Sequence, residues 1–512
     1  MAKKKKLKKK VQAEELKLKL KQTQYLNEIL NYAQSGASTQ KIAFRGSYDY
    51  INSTKEDIED NKEVLTARSR QLFMGNTTSR AAILKIRTNV VGTGLKVKSR
   101  INNNFLNFSP EKIEKLQKQI EFIWEVWANS TECDIMDECN FYQIQDLAMI
   151  TMLMDGDCFV YLPYKNIKNH IFSLKVQFLD SGNCKSFNVN ENIYEGVEVN
   201  DDGAPVAYHF IDDKQKAFRI PVRDTTGRKQ ILKLMEKERV GQLRGVPLLA
   251  PVMEPLAQLG KFTNAELMSA VVSAMFTAFI KQDSNTGNSG KILGVPQNFT
   301  SKPAPDTRNT GSGIELSMGY GNLGILEPGQ DMVFANPNRP NSKFEGFFNA
   351  IMKQIAASLE IPFEVLLSCF NSNYSASRAA IMEAWKMYKR RRVWLSQMLC
   401  QPIFEQVIEE AVLQKFIVLP GFLENPIKRK AYLTTTWYGD AQGQLDPVKE
   451  VNASILKIEH GLSTLEREAM ETNGSDWNEN LNQQKNERQI KMEVGINGNF
   501  EPNKEGKEQP EY

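Results

Sequence analysis

Apolar positions recur at helical spacing over most of this chain and switch to strict alternation in one central region. Residues 11–34 carry Leu18, Tyr25, Leu26, Ile29 and Leu30 at helical spacing with charges between them, which predicts a helix docked on a partner or on the body. Residues 65–91 place Leu72, Ala82, Ile83, Ile86 and Val90 on one side and stop at Gly92 and Gly94, ahead of a short alternating strand over 95–99. Helices are predicted over 112–127 and 143–154. The period then falls to two: residues 158–162, 174–178, 196–199 and 206–210 alternate and are separated by Gly, Asp and Asn, as in an antiparallel β region. Asn200, Asp201, Asp202 and Gly203 form a hairpin turn signal within it.

Helical periodicity returns over residues 248–281, about 33 residues that would extend roughly 50 Å at the standard rise. Ala270, Ser273, Ala274, Thr277 and Ala278 form a stripe of small residues along it. Such a stripe suits a barrel of identical helices and equally an ordinary close contact within one chain. Residues 283–341 are rich in Gly, Asn, Ser and Pro and read as a compact β-containing projection. A helix over 344–359 stops before Pro362. A polar loop over 368–375 leads to the longest helix, 377–413, which Pro402 should kink. From residue 472 onward the Asn, Glu, Lys, Gln and Gly content predicts a disordered tail.

At 512 residues the chain is too long for one ordinary core and suggests about two to four domains. Its formal charge of +4 is too small to support tight nucleic-acid binding by itself, so any basic function must be local. The N-terminal lysines from Lys3 to Lys10 repel one another and read as a solvated arm, with phosphate contact as the other reading. No apolar segment follows them, so no secretory signal or membrane span is expected, and the protein reads as soluble and intracellular.

Six cysteines without CxxC spacing and only three histidines argue against a zinc site or a disulfide framework, and the cysteines read as reduced packing residues. Residues 287–292 resemble a phosphate-binding loop but lack the Ser or Thr that would hold magnesium, since Ile292 stands there. Asp155 and Asp157 offer two carboxylates at a helix-to-strand junction, readable as a metal site or as a plain acidic turn. On the longest helix Lys386, Lys389, Arg390, Arg391 and Arg392 cannot all face one way, so some should pair with acidic neighbours or another subunit and some with phosphate. No catalytic residue, cofactor or metal is indicated.

Several strings in order resemble the phage portal proteins of the lambda family: LTARSR at 65–70, RTNVVGTG at 87–94, DGDCFV at 155–160, GVEV at 196–199 with GAPVAYH at 203–209, LEPG at 326–329, and NYSASRAA at 373–380 with EAW at 383–385. Between them lies the turn Arg239-Val-Gly241-Gln242-Leu-Arg244-Gly245-Val-Pro247. The likeness covers roughly residues 45–420. It implies an α+β multidomain portal fold with an α/β wing, long stem helices, a small β-containing clip and a helical C-terminal crown.

By that likeness, residues 1–44 form a basic arm and helix, 45–247 the wing, 248–281 and 344–360 the stem, and 282–343 the clip. Residues 361–376 form the tunnel-loop region, with Asn371, Ser372, Asn373, Tyr374 and Ser375 lining it. Residues 377–471 form the spine helix and crown, and 472–512 the disordered tail. Ser368, Cys369 and Phe370 depart from the more acidic, glycine-containing loop expected ahead of the Asn-Tyr-Ser string.

The resemblance further implies a homo-oligomeric ring, usually a dodecamer, at one capsid vertex of the virion, assembled in the host cytoplasm. Its partners would be non-specifically bound double-stranded DNA, the large terminase, the major capsid and scaffold proteins, and head-completion or tail proteins, with no membrane. Two other classes remain on the residues alone. One is a nucleic-acid-processing enzyme using Asp155 and Asp157 with a divalent metal. The other is a non-viral helical scaffold.

Overall fold

The computed structural model describes residues 17, 19, 42, 51–186, 192–212, 214–275, 279–282, 330–333, 344–370, 374–443 and 446–493. The chain divides into two compact units, one of residues 1–66, 156–162 and 178–246, the other of residues 67–155, 163–177 and 247–512. Among the described residues no helix is long and apolar enough to cross a membrane.

The predicted helix over 65–91 is two helices, α1 (Lys62–Gly75) and α2 (Thr77–Val90). Asn76 divides them: its backbone is extended, and its side chain accepts the Ser79 amide, capping α2. Gly92 and Gly94 take positive φ after α2, and β1 (Lys96–Ser99) follows. α3 (Pro110–Asn129) starts at the Ser109 cap with proline in its first turn, and α4 (Phe141–Asp155) is the second apolar helix.

In the first unit β2 (Asp157–Tyr161) lies between β3 (Gln177–Leu179) and β8 (Ile231–Met235). A second sheet runs in the order β4 (Ile193–Tyr194), β5 (Val197–Val199), β6 (Pro205–Ile211), β7 (Ala217–Pro221), all antiparallel. The expected hairpin joins β5 to β6, with Gly203 at positive φ and Asn200 accepting the amides of Asp202 and Ala204. Phe159 packs edge-on to Tyr208 and Phe210, at centroid distances of 5.2 and 5.3 Å, in the core of this unit. The strand predicted over 174–178 begins only at Gln177; Leu174 makes a lone bridge to Tyr164.

In the second unit the predicted helix over 248–281 is shorter at both ends. Pro247 and Pro251 lack amide hydrogens, so the chain first makes a 3₁₀ turn, and the helix α5 runs Met253–Met275. Phe279–Gln282, with Phe and Ile at its start, is the strand β9 paired with β10 (Gln330–Val333). α6 (Phe344–Ser358) packs on α5 through Phe344 stacked on Phe262 at 5.5 Å.

A short helix, α7 (Phe363–Leu367), occupies part of the region expected to be loop, and α8 (Tyr374–Leu395) starts three residues before residue 377. The kink expected at Pro402 is resolved as a π turn, Ser396–Cys400, running into α9 (Gln401–Leu413). The wider turn just ahead of the proline accommodates a position with no amide to donate. α10 (Pro426–Tyr432) and β11 (Thr435–Tyr438) follow, and β11 pairs with β1. The core of this unit is aromatic: Trp124 meets Phe141, Phe404 and Trp437 edge-on at 5.0 to 5.5 Å.

The tail predicted as disordered from residue 472 is helical through Glu493. α11 (Pro447–Glu459), α12 (Leu465–Asn473) and α13 (Trp477–Glu493) close the described chain. Asp476 explains the last of these: it is buried, paired with Lys98, and accepts the amides of Asn478 and Glu479 at the helix start. The basic arm and the helix over 11–34 lie outside the described residues, apart from single positions, as does the phosphate-loop-like string at 287–292.

Candidate functional site

The turn from Arg239 to Pro247 closes around one buried carboxylate. Asp157, the first residue of β2, accepts Arg244 Nε at 2.7 Å and Nη2 at 3.3 Å, the Gly245 amide at 2.9 Å, and the Ser181 hydroxyl. Lys62 Nζ adds a second cation at 3.1 Å and donates to the Gly245 carbonyl. Arg244, 1% exposed, spends its remaining donors on the carbonyls of Cys184, Glu195 and Ser181, so all five N–H groups find acceptors. Burial pushes the Asp157 carboxyl up, but the charges of Arg244 and Lys62 and the hydrogen bonds from Arg244 and Ser181 outweigh it and hold the group well below the usual carboxylate range.

The other members of the turn shape it. Gln242 is buried, accepts the amides of Glu238 and Arg239, and donates to the Arg244 carbonyl at 2.9 Å. Gly241 has φ of 79°, a left-handed position that favours glycine. Arg239 pairs with Asp57 and donates to the Asn52 carbonyl. Pro247 opens the 3₁₀ turn by accepting the Ala250 amide at 2.9 Å. Lys233 lies beside this cluster, donating to the Leu243 carbonyl at 2.6 Å, and burial pushes its ammonium down to about 8.

Asp155 is engaged differently, by Arg70 in a two-pronged pair at 2.8 and 2.6 Å. Each carboxylate of the acidic junction thus carries its own cation. A divalent ion at Asp157 would have to displace two buried positive charges, which is a poor exchange. Among the described residues no group of three or more His, Cys, Asp and Glu side chains is placed to hold a metal.

The five cations of α8 divide by direction. Lys386 pairs with Glu383 at 2.6 Å, Lys389 with Glu471 at 3.4 Å and Arg390 with Glu360 at 3.0 Å, all on the exposed side. Arg391 is buried, with Nη1 on the sulfur of Met387 and Nη2 3.9 Å from Glu360. Arg392 donates to the carbonyls of Asn89 and Val90 at the end of α2 and to that of Asp440, and its guanidinium lies 5.2 Å from the Trp385 ring centre. A cation over the last carbonyls of a helix satisfies orphan acceptors and the helix dipole together.

Of the loop residues singled out in the sequence, Asn371, Ser372 and Asn373 lie outside the described residues, while Tyr374 and Ser375 belong to the first turn of α8. The approach to them is anchored. Ser368 closes α7 in the left-handed conformation, the Cys369 amide returns to Glu364, and Lys85 of α2 donates to the Val365 carbonyl and the Ser368 hydroxyl. Of the small-residue stripe, Ala270 is exposed on α5, Ser273 and Ala274 lie in that helix, and Thr277 and Ala278 are outside the described residues. Four cysteines are buried, but Cys369 is exposed, contrary to a packing role for all six.

Sequence reasoning missed Lys62, Arg70, Ser181 and Lys85. The Arg70 to Asp155 pair spans 85 positions and the Arg244 to Asp157 pair 87, with no periodicity or string to join their members.

The model of the lambda family of phage portal proteins matches residues 44–392. The chain is 24% identical to portal protein B of Escherichia phage lambda over 454 residues, 84% of each chain. It is 25% identical to the portal protein of Escherichia phage N15 over 456 residues, 84% of this chain and 85% of that one. Among solved structures it resembles a chain in the virion of a native gene transfer agent particle, with TM-score 0.40 and 15% identity, covering 73% of this chain and 94% of that one.

Proposed function

The chain belongs to the lambda family of phage portal proteins, and on that premise we propose that it closes into a homo-oligomeric ring, a dodecamer, at one vertex of the capsid. Double-stranded DNA passes through the ring's axis, driven inward by the large terminase during packaging and released outward on ejection. α5 and α6 form the stem, β9 and β10 the base of the clip, residues 371–373 the tunnel loop, α8 and α9 the spine of the wing, and the helices after residue 446 part of the crown.

One observation carries the conduit reading beyond family membership: each of the five cations on α8 has an acceptor within its own chain. A passage must let phosphates slide, and uncompensated Lys and Arg would trap them by releasing counterions at each contact. Sequence-specific base contacts would stall movement for a similar reason.

Negative-stain microscopy of the purified chain tests the proposal. Closed rings with a central opening are expected. A polypeptide that stays monomeric at every concentration, and whose deletion leaves DNA packaging unaffected, overturns it.

A further inference from the structure

α9 ends in a left-handed turn at Lys415, φ 64°, where the amides of Lys415 and Phe416 return to the carbonyls of Val412 and Ala411. The chain then leaves along a segment whose burial alternates with period two. Ile417 and Leu419 are each 4% exposed, whereas Phe416 is 52% and Val418 75% exposed. That alternation is the signature of an extended strand with one face on the body. Among the described residues the amides of Ile417, Val418 and Leu419 have no hydrogen-bond partner. Phe416 is held in place against Phe172, at 5.8 Å between ring centres, so the segment is supported from behind.

Apolar exposure continues through Leu423 and Ile427, 56% and 57% exposed. The charge around this face is one-sided. Lys415 is exposed and Lys428 lies across Gly421, and neither has an ion-pair partner among the described residues. The nearby carboxylates of Glu405 and Glu409 are occupied by Lys430 and Arg429.

We propose that residues 416–419 form a docking edge for a segment of another protein that is extended, apolar at alternate positions and acidic between them. It adds as one short strand beside Ile417, Val418 and Leu419, burying Phe416 and Val418 and placing carboxylates near Lys415 and Lys428. The left-handed turn at Lys415 and the missing amide of Pro420 limit the pairing to a few residues, which suits a reversible contact. A lipid surface would leave the open amides without acceptors. A second copy of the same edge would set lysine against lysine.

The test uses the full chain and a fluorescein-labelled synthetic peptide alternating valine and glutamate, with a lysine-for-glutamate counterpart. Fluorescence anisotropy should show binding of the acidic peptide alone, with hydrogen-exchange protection confined to residues 416–419. The Lys415→Glu, Lys428→Glu double variant should weaken it by roughly tenfold, and Val418→Lys should do likewise while both variants keep the parent's circular dichroism. Equal binding of both peptides, or no protection of those amides, overturns the proposal. So does co-sedimentation with phosphatidylserine vesicles in place of peptide binding, or self-association through the same amides.

Discussion

The α-carbon of Gly245 stands so close to the carbonyl of Gly156 that a β-carbon on Gly245 would lie 1.9 Å from that oxygen. The approach is what lets the Gly245 amide reach Asp157 at 2.9 Å while its carbonyl receives Lys62 at 2.8 Å. Gly245→Ala is therefore expected to destabilise the first unit by about 3 kcal/mol, the scale of overpacking a closed site. Urea unfolding followed by tryptophan and tyrosine fluorescence measures it, and an unchanged midpoint contradicts it.

Asp157→Asn removes the one anion between two buried cations, and at neutral pH a loss of about 3–5 kcal/mol is expected. The pH dependence follows from the depressed folded-state pKa of Asp157. Its stabilisation is fully present above the unfolded carboxylate value near 4 and falls away as the medium is acidified below it. The gap between parent and variant should thus be constant from about pH 5 upward and narrow below about pH 4. A gap that widens in acid contradicts the assignment.

Lys233 provides the opposite slope. Burial pushes its ammonium down to about 8, so between about 8 and the unfolded value near 10.4 the unfolded chain holds more protons, and stability rises with pH in that window. Lys233→Met should flatten that rise. Chemical denaturation at a series of pH values between 7 and 10 reads it directly.

Arg392 and Lys386 sit on one helix, six positions apart, and are expected to behave differently. Arg392→Met leaves three carbonyls without their donor and should cost about 2–3 kcal/mol. Lys386→Ala removes only an exposed pair with Glu383 and should change stability by less than about 0.5 kcal/mol. Thermal unfolding of the two variants side by side distinguishes an inward clamp from a solvated charge.

The helices over 110–129 and 141–155 were legible in the sequence because each carries several buried positions in a regular order, Leu116, Ile120, Trp124 and Trp127 on α3 and Ile144, Ala148 and Met152 on α4. The division at Asn76 was hidden because apolar spacing runs through it, although an Asn before Thr77 and Thr78 is a cap signal. β7 and β8 escaped notice because each is five residues long and pairs with strands distant in sequence. The turn around Arg244 was legible as a string, yet its chemistry was not, since its carboxylate and its second cation lie far away in the chain. Composition misled at the tail: α13 is polar almost throughout, and a single cap at Asp476 rather than a buried face marks its start.

The π turn between α8 and α9 contains one residue more than an α-helical turn would need, and everything beyond it takes its phase from that insertion. Gln401, at its far end, is thereby aimed at β11, where it accepts from Trp437 and donates to the Leu433 carbonyl. Deleting a single residue from Ser396–Cys400 would rotate α9 by about 100° about its axis. Ile403, Phe404 and Val407, all fully enclosed, would swing out to water, so the spacing of this rod cannot shorten by one without dissolving the aromatic core it crosses.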